Sequence, residues 1–160
     1  MSIKVGDRLP QVTFRVMTPD GPAAKTTDDL FKGRKVVLVG VPGAFTPTCH
    51  RNHLPGYVQK LEEIRTRGVD AVVVTSVNDV FVMEAWGKAS GADGIELVAD
   101  GNGDFAQAIG LTMDRRDFGL GVRSQRYAMV VEDGVVKTLN VEDVASKAET
   151  SGAENLLKDL

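Results

Sequence analysis

Lys35-Val-Val-Leu-Val-Gly-Val41 and Val69-Asp-Ala-Val-Val-Val-Thr-Ser-Val77 are two β-branched runs, and what lies between them decides the fold. Each run stays apolar at consecutive positions, the pattern of a strand covered on both faces. Between them Leu54, Tyr57, Val58, Leu61 and Ile64 recur at spacings of three and four, on one helix face. Strand, helix and strand over roughly 40 residues make a βαβ unit with parallel neighbouring strands and a right-handed crossover. The class is α/β.

Outward from that unit, Asp79 to Ala89 reads as a second helix, with Asp79 at its start and Gly91 beyond its end. Glu96 to Ala99 reads as a short strand and Asp104 to Ile109 as a short helix. Arg126 to Glu132 and Val135 to Val141 flank Asp133-Gly134, a hairpin signature. Leu156, Leu157 and Leu160 give the tail from Gly152 helical spacing. A βαβ unit, then an antiparallel hairpin and a closing helix, is the chain order of a thioredoxin-like fold. Roughly the first forty residues form an N-terminal extension to it. No repeat, low-complexity stretch or Pro/Ser-rich linker interrupts the chain, so residues 1–160 read as a single domain.

Composition narrows the function. The chain has 160 residues, 42% apolar and 26% charged, with a net charge of −3. That balance gives no cationic footprint for nucleic acid. No apolar run approaches the ~20 residues of a membrane-spanning helix. The opening Met1-Ser-Ile-Lys-Val-Gly-Asp lacks the apolar core of a secretory signal, so the expected location is cytoplasmic, with a processed organelle protein as the alternative. Two histidines and scattered carboxylates do not have metal-ligand spacing. Gly101-Asn-Gly103-Asp104 lacks the later glycine of a nucleotide loop and reads as a turn. Glu62-Glu63 with Arg65 and Arg67 reads as a solvated helix face, and Met83 and Trp86 as core or interface.

The single cysteine cannot form an intrachain disulfide. Alone it would read as a buried, inert hydrophobe. Its neighbours, Pro42-Gly-Ala-Phe-Thr46-Pro47-Thr48-Cys49-His50, change that. Thr46 is a good N-cap and Pro47 suits the first helical position, which puts Cys49 third in the helix. There the N–H groups are unpaired and the helix end is partly positive, so the thiol is expected to ionise below its free value of ~8.5. The loop also leaves the carboxyl end of a strand, where α/β sheets bind ligands. A nucleophilic thiolate is the expectation.

Pro42-x-x-x-Thr46-x-x-Cys49 resembles the active-site signature of the peroxiredoxins. Val41 to Cys49 together with His53-Leu54-Pro55-Gly56 resembles the type II, peroxiredoxin-five branch. Ser76-Val-Asn-Asp79, Phe81-Val-Met, Ala85-Trp86-Gly-Lys88 and Arg126-Tyr-Ala-Met-Val-Val131 resemble it too, so the likeness runs from Gly6-Asp7 to the last helix. It implies a thioredoxin-like fold of peroxiredoxin type and a cofactor-free peroxidase for hydrogen peroxide and small alkyl hydroperoxides, with peroxynitrite a further substrate. Cys49 would be the peroxidatic cysteine and become a sulfenic acid. Thr46 would offer its hydroxyl to sulfur and peroxide, and Pro42 would shield the pocket. Arg126 would stabilise the thiolate and the leaving oxygen. Arg123 reads as a solvated residue, because Arg126 is the one directly before Tyr-Ala-Met-Val-Val. The likeness also implies a homodimer packed near the active-site loops.

The chain departs from many of these relatives in lacking a resolving cysteine, both at Val74 and within Val144 to Gly152. The sulfenic acid must then be reduced by an external thiol, with glutathione and glutaredoxin favoured over thioredoxin. Three rival readings remain. A peroxide sensor would relay oxidation to a partner protein. A cysteine hydrolase would use His50 or His53 as base, although Pro55 is expected to kink that helix. A disulfide oxidoreductase would need Cys-x-x-Cys, and Thr46 stands in the partner position. His53 is expected to buttress the pocket or a subunit contact. Cys49→Ser should abolish thiol-dependent peroxide consumption; a coupled assay retaining turnover would remove Cys49 from the chemistry.

Overall fold

A computed structural model describes residues 2–144 and 146–160. The chain opens with strands β1 (Thr13–Thr18) and β2 (Gly21–Thr26) and helix α1 (Thr27–Phe31), which starts on a reciprocal Thr26–Asp29 capping box. The βαβ unit follows as β3 (Lys35–Val41), a π-turn (Cys49–His53), α2 (Leu54–Thr66) and β4 (Ala71–Ser76). Then come α3 (Val80–Ala89), β5 (Glu96–Ala99) and α4 (Asp104–Ala108). Short strands β6 (Thr112–Asp114) and β7 (Val122–Ser124) precede the hairpin of β8 (Tyr127–Glu132) and β9 (Val135–Val141), and α5 (Ala153–Leu157) closes the chain.

Among the described residues, seven strands form one sheet in the order β2-β1-β5-β4-β3-β8-β9, and β6 pairs with β7 beside it. β3 and β4 are parallel neighbours, as the βαβ reading requires, and β8 runs antiparallel on the other side of β3. This is a mixed α/β thioredoxin-like fold, with the β1–β2 extension completing one edge through antiparallel pairing of β1 with β5. The second predicted strand is shorter than its apolar run. Asp70 turns its carboxylate onto the Lys35 amide and its own amide onto the Lys35 carbonyl, so pairing begins at Ala71.

Period-two alternation along the central strands divides the core in two. Val37, Val39 and Val41 point toward α2, α3 and α5, among Cys49, Tyr57, Met83, Trp86 and Leu156. Val36 and Leu38 point to the other face, among Phe14, Leu30, Phe105 and Met129. The helix face predicted from Leu54, Tyr57 and Ile64 is fully buried, with Val58 and Leu61 packed at its margin. Asp133 (φ 48) and Gly134 (φ 79) supply the two left-handed residues of a tight hairpin turn.

One glycine is dictated by close approach. Gly40 lies opposite Tyr127, and a Cβ there would stand 2.1 Å from the buried Tyr127 ring. Tyr127 adjoins Arg126, so crowding at Gly40 strains the start of β8. Gly40→Ala should cost about 1–3 kcal/mol in urea unfolding, the usual range for overpacking. An unchanged midpoint would show that the ring can move aside.

Candidate active site

The carboxyl end of β3 delivers a loop that is held by two side chains, Asn78 and Arg123. The Ala44 amide donates to Asn78 Oδ1 at 2.9 Å, and Ser76 Oγ donates to the same oxygen at 2.6 Å. Arg123 donates to the Pro42 carbonyl at 3.2 Å and to the Leu120 carbonyl at 2.8 Å. Arg123 is therefore part-buried and clamps the loop, which corrects its reading as a solvated residue. Phe45 takes a left-handed φ of 63°, an uncommon state for an aromatic residue, where the chain turns into the helix.

Thr46 begins the helix as expected, its carbonyl accepting from the His50 amide at 2.9 Å. Its side chain does not form the expected N-cap bond: the hydroxyl donates to the Gly43 carbonyl at 2.6 Å. Thr46 also lines the adjoining cavity. Pro47 and Thr48 are helical and Cys49 stands third, in the first turn, as read from the sequence. From there the helix widens into the π-turn. The Leu54 amide bonds the Cys49 carbonyl five residues back. Pro55 has no N–H for the Arg51 carbonyl, and the wider turn accommodates that loss.

The sulfur lies in a dry, polar knot. Cys49 is 0% exposed, Arg126 3% and His53 1%. Arg126 immediately precedes β8 and donates from Nη2 to Cys49 Sγ at 2.9 Å. Its Nη1 donates to His53 Nδ1 at 3.0 Å. A guanidinium can only donate, so Nδ1 holds the lone pair and the proton sits on Nε2. Nε2 then donates to the Ser151 carbonyl at 3.0 Å, which also accepts from the Tyr57 hydroxyl at 2.6 Å.

Burial, and next the Arg126 charge, push the His53 pKa from 6.5 down to about 3. The imidazole is neutral with both nitrogens engaged, so it has no free lone pair to act as a base. His50 accepts the Trp86 indole N–H on Nδ1 at 3.1 Å. The hydrolase reading thus loses His53, its helical-face candidate. Burial also raises the Tyr57 phenol above its ordinary range.

Pro42, Thr46, Met113, Phe118, Leu120 and Arg126 line a cavity of about 300 Å³ beside the sulfur. Thr48, Arg115 and Ser146 join Thr46 and Arg126 as its polar lining, and Pro47 joins Pro42, Met113, Phe118 and Leu120 as its apolar lining. A larger cavity, about 530 Å³, lies between Asn52, Lys60, Glu149 and Lys158, away from Cys49. Among the described residues, no group of three or more His, Cys, Asp or Glu is placed to hold a metal ion, and no helix is long and apolar enough to cross a membrane.

The four residues singled out from the sequence, Pro42, Thr46, Cys49 and Arg126, meet at one place, and His53 joins them. Sequence reading missed Ser151 and gave Asn78 no role. Asn78 lay inside the Ser76-to-Asp79 string and could have been found there. Ser151 carried no local signal, because it acts through a backbone carbonyl.

Comparison with known proteins agrees with this geometry. The family described as Redoxin matches residues 4–157. Peroxiredoxin-2E, chloroplastic, of Arabidopsis thaliana is 48% identical over 164 residues, covering 99% of this chain and 70% of that protein. Peroxiredoxin-2B of the same plant is 43% identical over 160 residues, covering 99% and 98%. The crystal structure of reduced Prx3 in complex with hydrogen peroxide from Vibrio vulnificus superposes with a TM-score of 0.94 at 48% identity, covering 98% of each chain.

The His53 environment predicts a pH dependence. The unfolded chain protonates this imidazole near 6.5, the folded chain only near 3. Between those values the unfolded state holds the extra proton, so stability falls as pH falls, by up to ~1.4 kcal/mol per pH unit from this group. His53→Gln should flatten that slope in urea-unfolding midpoints taken from pH 6.5 to 3. An identical slope in the variant would mean that His53 titrates alike in both states.

Proposed function

The chain belongs to the redoxin family as a one-cysteine, type II peroxiredoxin, a thiol peroxidase, and from that premise we propose how its residues carry the reaction. Cys49 is the peroxidatic nucleophile. Its thiolate attacks the terminal oxygen of a hydroperoxide, a sulfur–oxygen bond forms, and the oxygen–oxygen bond breaks. The products are Cys49 sulfenic acid and an alkoxide or hydroxide, which takes a proton to leave as alcohol or water.

The observation that carries this reading is the buried Arg126 guanidinium 2.9 Å from Cys49 Sγ. A cation there faces the attacking sulfur and stabilises negative charge growing on the departing oxygen. Thr46, which lines the cavity, supplies a hydroxyl to the peroxide, and Pro42 keeps water from the sulfur. Hydrogen peroxide and small alkyl hydroperoxides fit the apolar walls of Met113 and Phe118. Residues 1–160 act as a single thioredoxin-like domain.

Regeneration uses an external thiol, since the chain has one cysteine. Glutathione attacks the sulfenic sulfur, releasing water and leaving a mixed disulfide. A second thiol, delivered with glutaredoxin, attacks that disulfide and restores Cys49. The buried sulfur favours this small reductant over a thioredoxin. The working form is a homodimer packed near the active-site loops, where Phe45 and Phe118 stand 47% and 71% exposed. The location is the cytoplasm or, as with the chloroplastic relative, an organelle.

Reduced protein mixed with hydrogen peroxide in a stopped-flow instrument tests the reading, with the fluorescence of Trp86 next to His50 as reporter. Oxidation faster than about 1,000 M⁻¹s⁻¹, far below the diffusional ceiling, is expected. Arg126→Ala should lose about 100- to 1,000-fold of that rate, as removal of a preorganised donor does. A folded Arg126→Ala protein with near-normal rate would refute the assignment. Turnover with glutathione and glutaredoxin is expected; turnover with thioredoxin alone would reverse the choice of reductant.

A further inference from the structure

The hydrogen bonds around Arg126 close on themselves. Arg126 Nη1 donates to His53, and His53 Nε2 donates to the Ser151 carbonyl. The Ser151 amide and hydroxyl donate to Glu142 Oε2 at 2.6 and 2.7 Å. The Glu142 amide, finally, donates to the Arg126 carbonyl at 3.0 Å. Glu142 and Ser151 are 9% and 0% exposed, so water does not substitute for these partners.

We propose that Glu142 and Ser151 are positioning residues for peroxide reduction: the Glu142 carboxylate fixes the Ser151 peptide, the Ser151 carbonyl fixes the His53 tautomer, and His53 aims the Arg126 guanidinium at the Cys49 sulfur. This rests on the peroxidase reading above.

The physical need is specific. An imidazole offers an acceptor at Nδ1 only when its proton is on Nε2, and that choice is made by what Nε2 faces. With the opposite tautomer, Nδ1–H would point at Arg126, donor against donor. The guanidinium would have to turn, moving Nη2 off the sulfur. Ser151 sits after a mostly exposed loop, so its carbonyl needs its own anchor. Glu142 accepts both Ser151 bonds on one carboxylate oxygen, and its own amide donates to the Arg126 carbonyl. Tyr57 gives the same carbonyl a second donor, which restrains it further.

Peroxide oxidation and alkylation of Cys49 separate aiming from mere burial. Both need the thiolate, but only peroxide needs a donor on its leaving oxygen. Glu142→Ala should slow oxidation by hydrogen peroxide at least about tenfold, as misplacement of a reacting group does. Alkylation by iodoacetamide, which has no leaving oxygen for Arg126 to meet, should slow clearly less. Glu142→Gln, which keeps an oxygen toward Ser151, should restore most of the rate. In an Arg126→Ala background Glu142→Ala should cost nothing more, since there is no guanidinium left to aim. Long-range ¹H–¹⁵N correlation of His53 gives a readout independent of activity: one Nε2–H tautomer in the parent protein, a mixture in Glu142→Ala.

Unchanged peroxide oxidation with an unchanged tautomer in folded Glu142→Ala would overturn the proposal. Equal slowing of oxidation and alkylation, or a further loss without Arg126, would do the same. Should Glu142→Ala not fold, Ser151→Ala removes one bond to the carboxylate with little change in volume and is read by the same criteria. If the parent protein itself reacts with peroxide no faster than a free thiol, the peroxidase reading fails, and the tautomer measurement still decides the positioning.

Discussion

A buried guanidinium facing a buried sulfur is the constraint around which this chain is organised. An arginine taken out of water must have its N–H donors met, or the desolvation cost exceeds anything its charge returns. Here one donor goes to Cys49 Sγ and another to a histidine held neutral. That histidine in turn needs a carbonyl, and the carbonyl belongs to a segment near the far end of the chain. The active site thus ties together β3's loop, the π-turn, the start of β8 and the residues leading into α5.

The backbone serves the same pair. Parallel pairing of β3 and β4 brings Ser76 and Asn78 beside the loop that follows Val41, where Asn78 takes the Ala44 amide. Antiparallel pairing of β3 with β8 sets Tyr127 on Gly40 and so places Arg126 at the mouth of that loop. Cys49 then lies one helical turn in, within the apolar cluster that includes Val41 and Trp86. The π-turn is the local adjustment that lets a proline follow so closely while Cys49 and His53 both stay inside.

Legibility followed the range of the interaction. The extent of β3 matched its β-branched run to the residue, and the buried face of α2 matched its three-and-four spacing, because both are periodic signals carried by neighbouring residues. The Asp133-Gly134 turn was legible because only particular residues tolerate its dihedrals. Local chemistry misled in two places. Thr46 has the residue type of an N-cap, yet a nearer carbonyl takes its hydroxyl. Arg123 has the type of a surface residue, yet β7 brings it under the Pro42 carbonyl.

By itself the sequence determined the α/β class, the site of the helix start that carries Cys49, and the absence of a second cysteine. Those follow from composition, period and spacing along one stretch of chain. Only the tertiary structure decided which histidine nitrogen bears the proton, that Arg123 clamps the Pro42 carbonyl, and that Ser151 and Glu142 stand behind Arg126. These depend on partners 9 to 98 positions apart and on backbone atoms common to every residue, so no residue type could announce them.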